Sequence, residues 1–279
     1  MALPLLSRSN RDPKLGLKVS LKFGAILALS FVLIGLPGTN SQSGAAQAQT
    51  SEGQIELQYV VRGLGLKLGE LWIASHSING RYRTISRFAT TGALRTVAKV
   101  RFDLQSEGRW RRNGQTAEPR TYTETINTGR RQSSATLTYV GGIPRVESGG
   151  LGQPEEDAPT PVNPLTQRDT VDPATALLLA AGPHPESRLC NLDLPVFDGA
   201  RRTRLVLSPP LETEAGYICR GAFIREAGYS DKDLRKDGSF DLSLNYVRRR
   251  DGQYVLIGGR VETIYGPVTL EWHSADTDG

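Results

Sequence analysis

Histidine and cysteine are scarce in this chain of 279 residues, which holds three of the first and two of the second. His76, His184 and His273 lie far apart, and none has a second ligand two to four residues away, so a local zinc motif or an HExxH helix is excluded. They read as ordinary surface or turn residues. No GxSxG elbow is present, and Ser75, His76 and Ser77 are neighbours in sequence only, whereas a catalytic triad needs residues that converge in space. Paired acids occur at Glu155, Glu156 and Asp157 in a linker and at Asp231 and Asp233 in a polar turn, solvated positions that keep both members ionised. No catalytic residue, metal ligand or cofactor site is therefore expected, and the chain reads as non-enzymatic. Gly63, Gly65 and Gly69 have GxGxxxG spacing, but they lead into another strand pattern (Leu66, Leu68, Trp72). The helix whose N-terminus would hold a phosphate is missing, so a tight turn or bulge is the reading.

Long apolar runs are also absent. The longest, Gly24 to Leu36, has about 13 residues against the roughly 20 of a spanning helix. It follows a basic stretch from Arg8 to Lys22 and precedes a small-residue exit at Ala46, Gln47 and Ala48, the three parts of a secretory signal. Residues 1–48 read as a signal peptide cleaved near Ala48, with an uncleaved membrane anchor as the alternative. No cysteine follows the exit site to carry a lipid, and no paired arginines precede the apolar run. General export to the periplasm is the plain expectation.

The leader also carries most of the charge. It sets Arg8, Arg11, Lys14, Lys18 and Lys22 against Asp12, so of the chain's formal +5 only about +1 belongs to the remainder. A nucleic-acid partner loses its main support. In an oxidising compartment the only two cysteines, Cys190 and Cys219, are most economically a disulfide. A reactive thiol or metal ligand, the alternative, has no histidine beside it in sequence.

Turn signals punctuate what is left: Asn79-Gly80, Asn113-Gly114, Asp198-Gly199, Asp237-Gly238 and Asp251-Gly252. Between them, apolar and polar residues alternate with the period of half-buried strands. Ile55, Leu57, Tyr59 and Val61 form one such row, Ala98, Val100, Phe102 and Leu104 another. Phe240, Leu242, Leu244 and Tyr246 form a third, and Val268, Leu270 and Trp272 a fourth. Parallel sheets covered on both faces would show continuous apolar runs instead, so the fold class is mainly β: a curved antiparallel sheet or barrel of hairpins with one short covering helix. That helix begins at Asp172 as N-cap with Pro173 at the first helical position, and stops at Gly182-Pro183. Ala176 to Ala181 are apolar on every face, so it should be covered all round, as a plug or cap. Residues 148–170 are rich in Gly, Pro and acids and read as a mobile loop; 49–279 is expected to be a single domain crossed by it.

The stretch from Asp172 to Tyr229 resembles a family of exported bacterial proteins classed as domain-of-unknown-function family 3108. Asp172-Pro173, Cys190, Val196-Phe197-Asp198-Gly199 with Arg202, Cys219 and Gly228-Tyr229 carry the resemblance. Gly63-x-Gly65, Gly69, Tyr82 and the Thr90-Thr91-Gly92 corner fit the family's first half. Where members often continue Arg-aromatic-Asp, this chain has Arg202-Thr203-Arg204. The resemblance implies an envelope location and a β-rich fold, and brings no catalytic residues. The Val196-Phe197-Asp198-Gly199 motif itself reads as structural, ending one strand and making the turn from which Arg202 returns.

Arginine clusters remain: Arg109, Arg111 and Arg112 beside Trp110; Arg201, Arg202 and Arg204; and Arg248, Arg249 and Arg250. Guanidinium groups fork onto carboxylates and phosphates, although arginines at strand ends also solubilise edges. Two functional expectations follow. One is a β cavity holding a lipid-like or other apolar molecule. The other is an envelope interaction or scaffold protein docking a protein or acidic polymer through Arg-rich hairpin ends, Arg248 to Arg250 above all. An envelope hydrolase assembled from distant strands is a third possibility.

Overall fold

The structure, a computed structural model, describes residues 53–92, 95, 99–111, 116–128, 132–150 and 161–273. The leader, Ala98, Arg112, the Asn113-Gly114 turn and the acids at 155–157 lie outside the described residues.

Among the described residues fourteen strands form one antiparallel sheet. They are β1 (Gly53–Gly63), β2 (Leu66–Ile78), β3 (Arg81–Thr90), β4 (Arg101–Arg111), β5 (Thr116–Asn127), β6 (Gln132–Val140) and β7 (Ile143–Gly150), then β8 (Leu192–Phe197), β9 (Arg202–Leu207), β10 (Leu211–Thr213), β11 (Gly216–Ala227), β12 (Ser239–Arg248), β13 (Tyr254–Val261) and β14 (Val268–Trp272). Their order across the sheet is β7-β6-β5-β4-β3-β2-β1-β14-β13-β12-β11-β9-β8, with β10 beside β11. Each half is therefore a meander, and the two halves meet where the last strand, β14, pairs with the first, β1.

Residues 161–172 lace the two ends of this sheet together. Val171 pairs with Val196 of β8, while the amide of Asp169 and the side chain of Arg168 donate to the carbonyls of Gly142 and Gly141 in the β6–β7 turn. The expected mobile loop is thus ordered at both ends. Ser148 to Gly150 belong to β7, and Gln167 and Thr170 are buried because they brace this lacing. The curled sheet encloses α1 (Pro173–Ala181), whose side-chain cap is Asp172 and whose stop is Gly182. It contacts β2, β3, β4, β5, β8 and β13, so the all-round apolar helix plugs the interior.

The Asn79-Gly80 turn has both residues at positive φ, as a two-residue hairpin requires. Leu64-Gly65 and Gly141-Gly142 do the same. Asp237-Gly238 differs from expectation. Asp231 and Asp233, read as a polar turn, open a second helix, α2 (Asp231–Asp237), capped by Ser230, and Gly238 with φ −73° merely ends it. Two acids in the first turn and Arg235 and Lys236 in the last suit the helix dipole.

Cys190 and Cys219 form the expected disulfide, with Cα atoms 5.2 Å apart. The bond ties the segment after α1 to β11 within an apolar cluster of Leu57, Tyr59, Ile73, Leu242, Leu244, Tyr246 and Leu256.

Candidate functional site

The other half of the interior is polar, and it holds the groups with unusual chemistry. Asp172, fully buried, caps α1 by accepting from the backbone N–H of Thr175 at 2.8 Å. Its second oxygen accepts from Ser106 of β4 at 2.7 Å and from the Thr175 hydroxyl at 2.8 Å. The Tyr82 hydroxyl of β3 lies 2.9 Å from Thr175 Oγ1. A chain of hydroxyls from three elements thus converges on one carboxylate. Burial pushes the Asp172 pKa up to about 6, and the hydrogen bonds to its charged form only partly offset this.

A second acid, Glu124 of β5, accepts from the Tyr122 hydroxyl at 2.6 Å. Burial raises it to about 7; the Tyr122 hydrogen bond opposes the rise, Asp198 adds to it and Arg201 counters it. Asp198 itself, in the β8–β9 turn, is raised by burial although the backbone N–H groups of Ala200 and Arg201 donate to it at 2.9 and 2.7 Å. Burial also lifts the Tyr122 and Tyr139 phenols well above their ordinary range.

The family motif is built into this cluster. Val196 and Phe197 end β8, and Phe197 packs with Tyr122, Leu137 and Ala174. Gly199 sits at φ +107°, and a Cβ there would come within 3.1 Å of Leu137 Cδ1, so glycine serves both conformation and contact. Gly228 backs onto the turn, where a Cβ would fall 2.3 Å from the carbonyl of Ala200. Tyr229 receives the guanidinium groups of Arg201 and Arg225 on its ring at 4.9 and 4.8 Å. Arg202 bonds Glu226 and Gln167, and Arg204 bonds Glu226 and Asp193. Glu226 thus supplies one acid to both arginines of the Arg202-Thr203-Arg204 departure.

The interior expected from the strand patterns, lined by Leu, Val, Phe and Tyr, is therefore only half right. Thr84, Ser86, Ser106 and Glu124 occupy inward positions of β3, β4 and β5. Capping chemistry marks Asp172 only as a helix cap and the motif marks Asp198 only as a turn residue, while the strand pattern does not mark Glu124. Its signal is its position two residues from Tyr122 on one strand, which puts both on the same face. His76 and His273 are exposed as expected, but His184 is half-buried against Tyr246, and desolvation pulls it down to about 4. Among the described residues no group of three His, Cys, Asp or Glu side chains could hold a metal.

The arginine clusters separate cleanly. Arg109 and Arg111 face Glu118, and Arg202 and Arg204 are paired as above. Arg248, Arg249 and Arg250 are exposed at the β12–β13 hairpin tip, where Arg249 reaches Asp251 at 3.4 Å.

A crystal structure of a β-barrel-like protein of domain-of-unknown-function family 1849 from Brucella abortus is similar to this chain at 11% identity and a TM-score of 0.42, covering 78% of this chain and 95% of that one. No curated protein matches the sequence. The family described as protein of unknown function (DUF3108) matches residues 55–215, more than half of the sequence, and the chain belongs to that family.

Proposed function

We propose that this is a non-enzymatic protein of the cell envelope, exported through a leader cleaved near Ala48, which docks an acidic protein or polymer through the hairpin tip of Arg248, Arg249 and Arg250. The observation that carries the reading is the contrast among the arginine clusters: local carboxylates occupy Arg109, Arg111, Arg202 and Arg204, whereas at the exposed β12–β13 tip the ion pair is that of Arg249 with Asp251, and Arg248 and Arg250 project beside it. Guanidinium forks that are free to turn outward suit carboxylate or phosphate recognition.

The non-enzymatic part rests on access. Asp172 and Glu124, the acids pushed towards neutral pH, lie beneath side chains and spend their oxygens on protein hydroxyls and amides. An apolar molecule held inside the barrel, the other reading, has less to rest on, because α1 and the side chains around it occupy the curl of the sheet.

Crosslinking in intact cells tests the docking. Replacing Arg248, Arg249 and Arg250 by glutamine removes a specific crosslinked partner if the reading holds, and replacing Arg109 and Arg111 leaves it. An unchanged pattern in the triple variant takes the tip out of consideration. Recovery of exported protein that still begins at Met1 overturns the cleaved leader.

A further inference from the structure

At the end of the sheet opposite that arginine tip, two neighbouring turns put large apolar side chains into solvent. Leu64 and Leu66 flank the β1–β2 turn at 77% and 67% exposure, and Ile264 and Tyr265 crown the β13–β14 turn at 51% and 82%. The strands below are adjacent by way of β14, where Gly63 pairs with both Leu66 and Val268. The turns themselves nearly touch, since a Cβ on Gly266 would lie 3.5 Å from Leu64 Cδ2.

Leu64 is doubly out of place. It is a non-glycine residue at φ +51°, in the first position of a turn where asparagine is favoured, so folding gains nothing from leucine there. Solubility gains nothing from it either. Two features further suit the tip to a medium poorer in water. The β13–β14 turn satisfies three of its own amides: Thr263 and Gly266 exchange N–H···O bonds at 3.1 and 2.9 Å, and Thr263 Oγ1 accepts from the Tyr265 amide and donates to the Gly266 carbonyl. The charged side chains at the base are already paired, Arg62 with Glu271, Lys67 with Glu70 and Arg260 with Glu262. Insertion of the tip would keep the amides of Thr263, Tyr265 and Gly266 bonded and strand none of these charges.

We infer that the apolar tip of Leu64, Leu66, Ile264 and Tyr265 seats in the interface of a lipid bilayer. Its convex shape suits headgroup and acyl boundary, where a tyrosine with its hydroxyl outward and aliphatic neighbours pointing inward are the favoured composition. The neutral base means that binding follows buried apolar area, with little dependence on anionic lipid.

Flotation with vesicles tests this, using the chain from Gln49 onward, the exported form under the reading above. The wild type should float with vesicles of phosphatidylethanolamine and phosphatidylglycerol, and nearly as well with phosphatidylcholine alone. Leu64→Asn and Tyr265→Ser should each weaken partitioning roughly tenfold, the order expected for one large apolar side chain left in water. Leu64→Asn has a second signature: asparagine tolerates the left-handed conformation, so melting temperature should hold or rise while binding falls. Wild-type protein that stays unbound on all three lipids, or variants that float equally well, would falsify the inference. If sedimentation shows instead that the same substitutions break up a dimer, the tip covers a second copy and the bilayer reading is overturned.

Discussion

The two halves of the interior solve one packing problem in opposite ways. Around Cys190 and Cys219 the sheet closes on α1 with Leu, Val and Tyr, and the few polar atoms are spent on single carbonyls: Tyr246 donates to Ala180 at 2.7 Å and Tyr59 to Leu256 at 2.9 Å. Around Asp172 the sheet closes with Ser, Thr, Tyr and carboxylates that bond to one another. The first half is held by burial and one covalent tie, which tolerate small shifts. The second depends on a connected set of hydrogen bonds, in which losing one member strands the others.

The sharpest break in this comparison is Asp172→Ala. It removes the helix cap and leaves Ser106, Thr175 and a buried amide without their acceptor, a loss of about 4 kcal/mol in denaturant unfolding. Asp172→Asn keeps the cap and should cost clearly less. If alanine costs under about 1 kcal/mol, the polar half is not a dependent network.

Opening the disulfide by replacing both cysteines with alanine tests the apolar half. The bridge spans a sequence separation of 29, for which chain entropy predicts a loss of about 3 to 4 kcal/mol. The lost stability should appear as a lower melting temperature with the same α1 docking, read from protection of its amides.

The two halves also differ in their response to pH. Glu124 rises from an ordinary value of 4.5 to about 7 and Asp172 from 3.8 to about 6. Since both folded values exceed the unfolded ones, the folded chain binds more protons in this window. The stabilisation is complete below the unfolded pKa and lost as pH climbs through the folded one. Stability should therefore fall between about pH 4 and 7, with Glu124 contributing on the order of 3 kcal/mol. Glu124→Gln keeps an acceptor for Tyr122 and should confine the fall to below about pH 6, where Asp172 titrates. A profile unchanged by this substitution would remove Glu124 from the account.

Tyr246→Phe should have the smallest effect, about 1 kcal/mol for one hydrogen bond lost from the Ala180 carbonyl, which His184 also bonds, and no pH dependence of its own. Equilibrium unfolding at two pH values separates it from Glu124→Gln.

Much of this architecture is legible in the residues. The rows Leu57-Tyr59-Val61 and Leu242-Leu244-Tyr246 turn their apolar side inward as alternation predicts, and Asp172-Pro173 opens α1 where capping chemistry puts it. On β4 the row of Phe102 and Leu104 also marks the inward face, which Leu104 shares with Ser106. On β3 and β5 the same logic fails, because inward Thr84, Ser86 and Glu124 have the polarity of an outer face. Asp231 and Asp233 fit a turn as well as the first turn of a seven-residue helix, because so short a helix has no period to read.

Local covalent chemistry is what the sequence determined alone: where strands alternate, where Asn79-Gly80 bends, where Asp172 starts a helix, and that two cysteines were available to pair. Tertiary structure decided everything that depends on distant residues meeting. It placed α1 inside the curl, set Glu124 near Asp198 and Arg201 at a distance of more than 70 residues along the chain, paired Arg109, Arg111, Arg202 and Arg204 with local acids, and left an apolar tip and a basic tip at opposite ends. Burial and Coulomb energy depend on separation in space, and a polar residue carries no mark of which partner folding will bring to it.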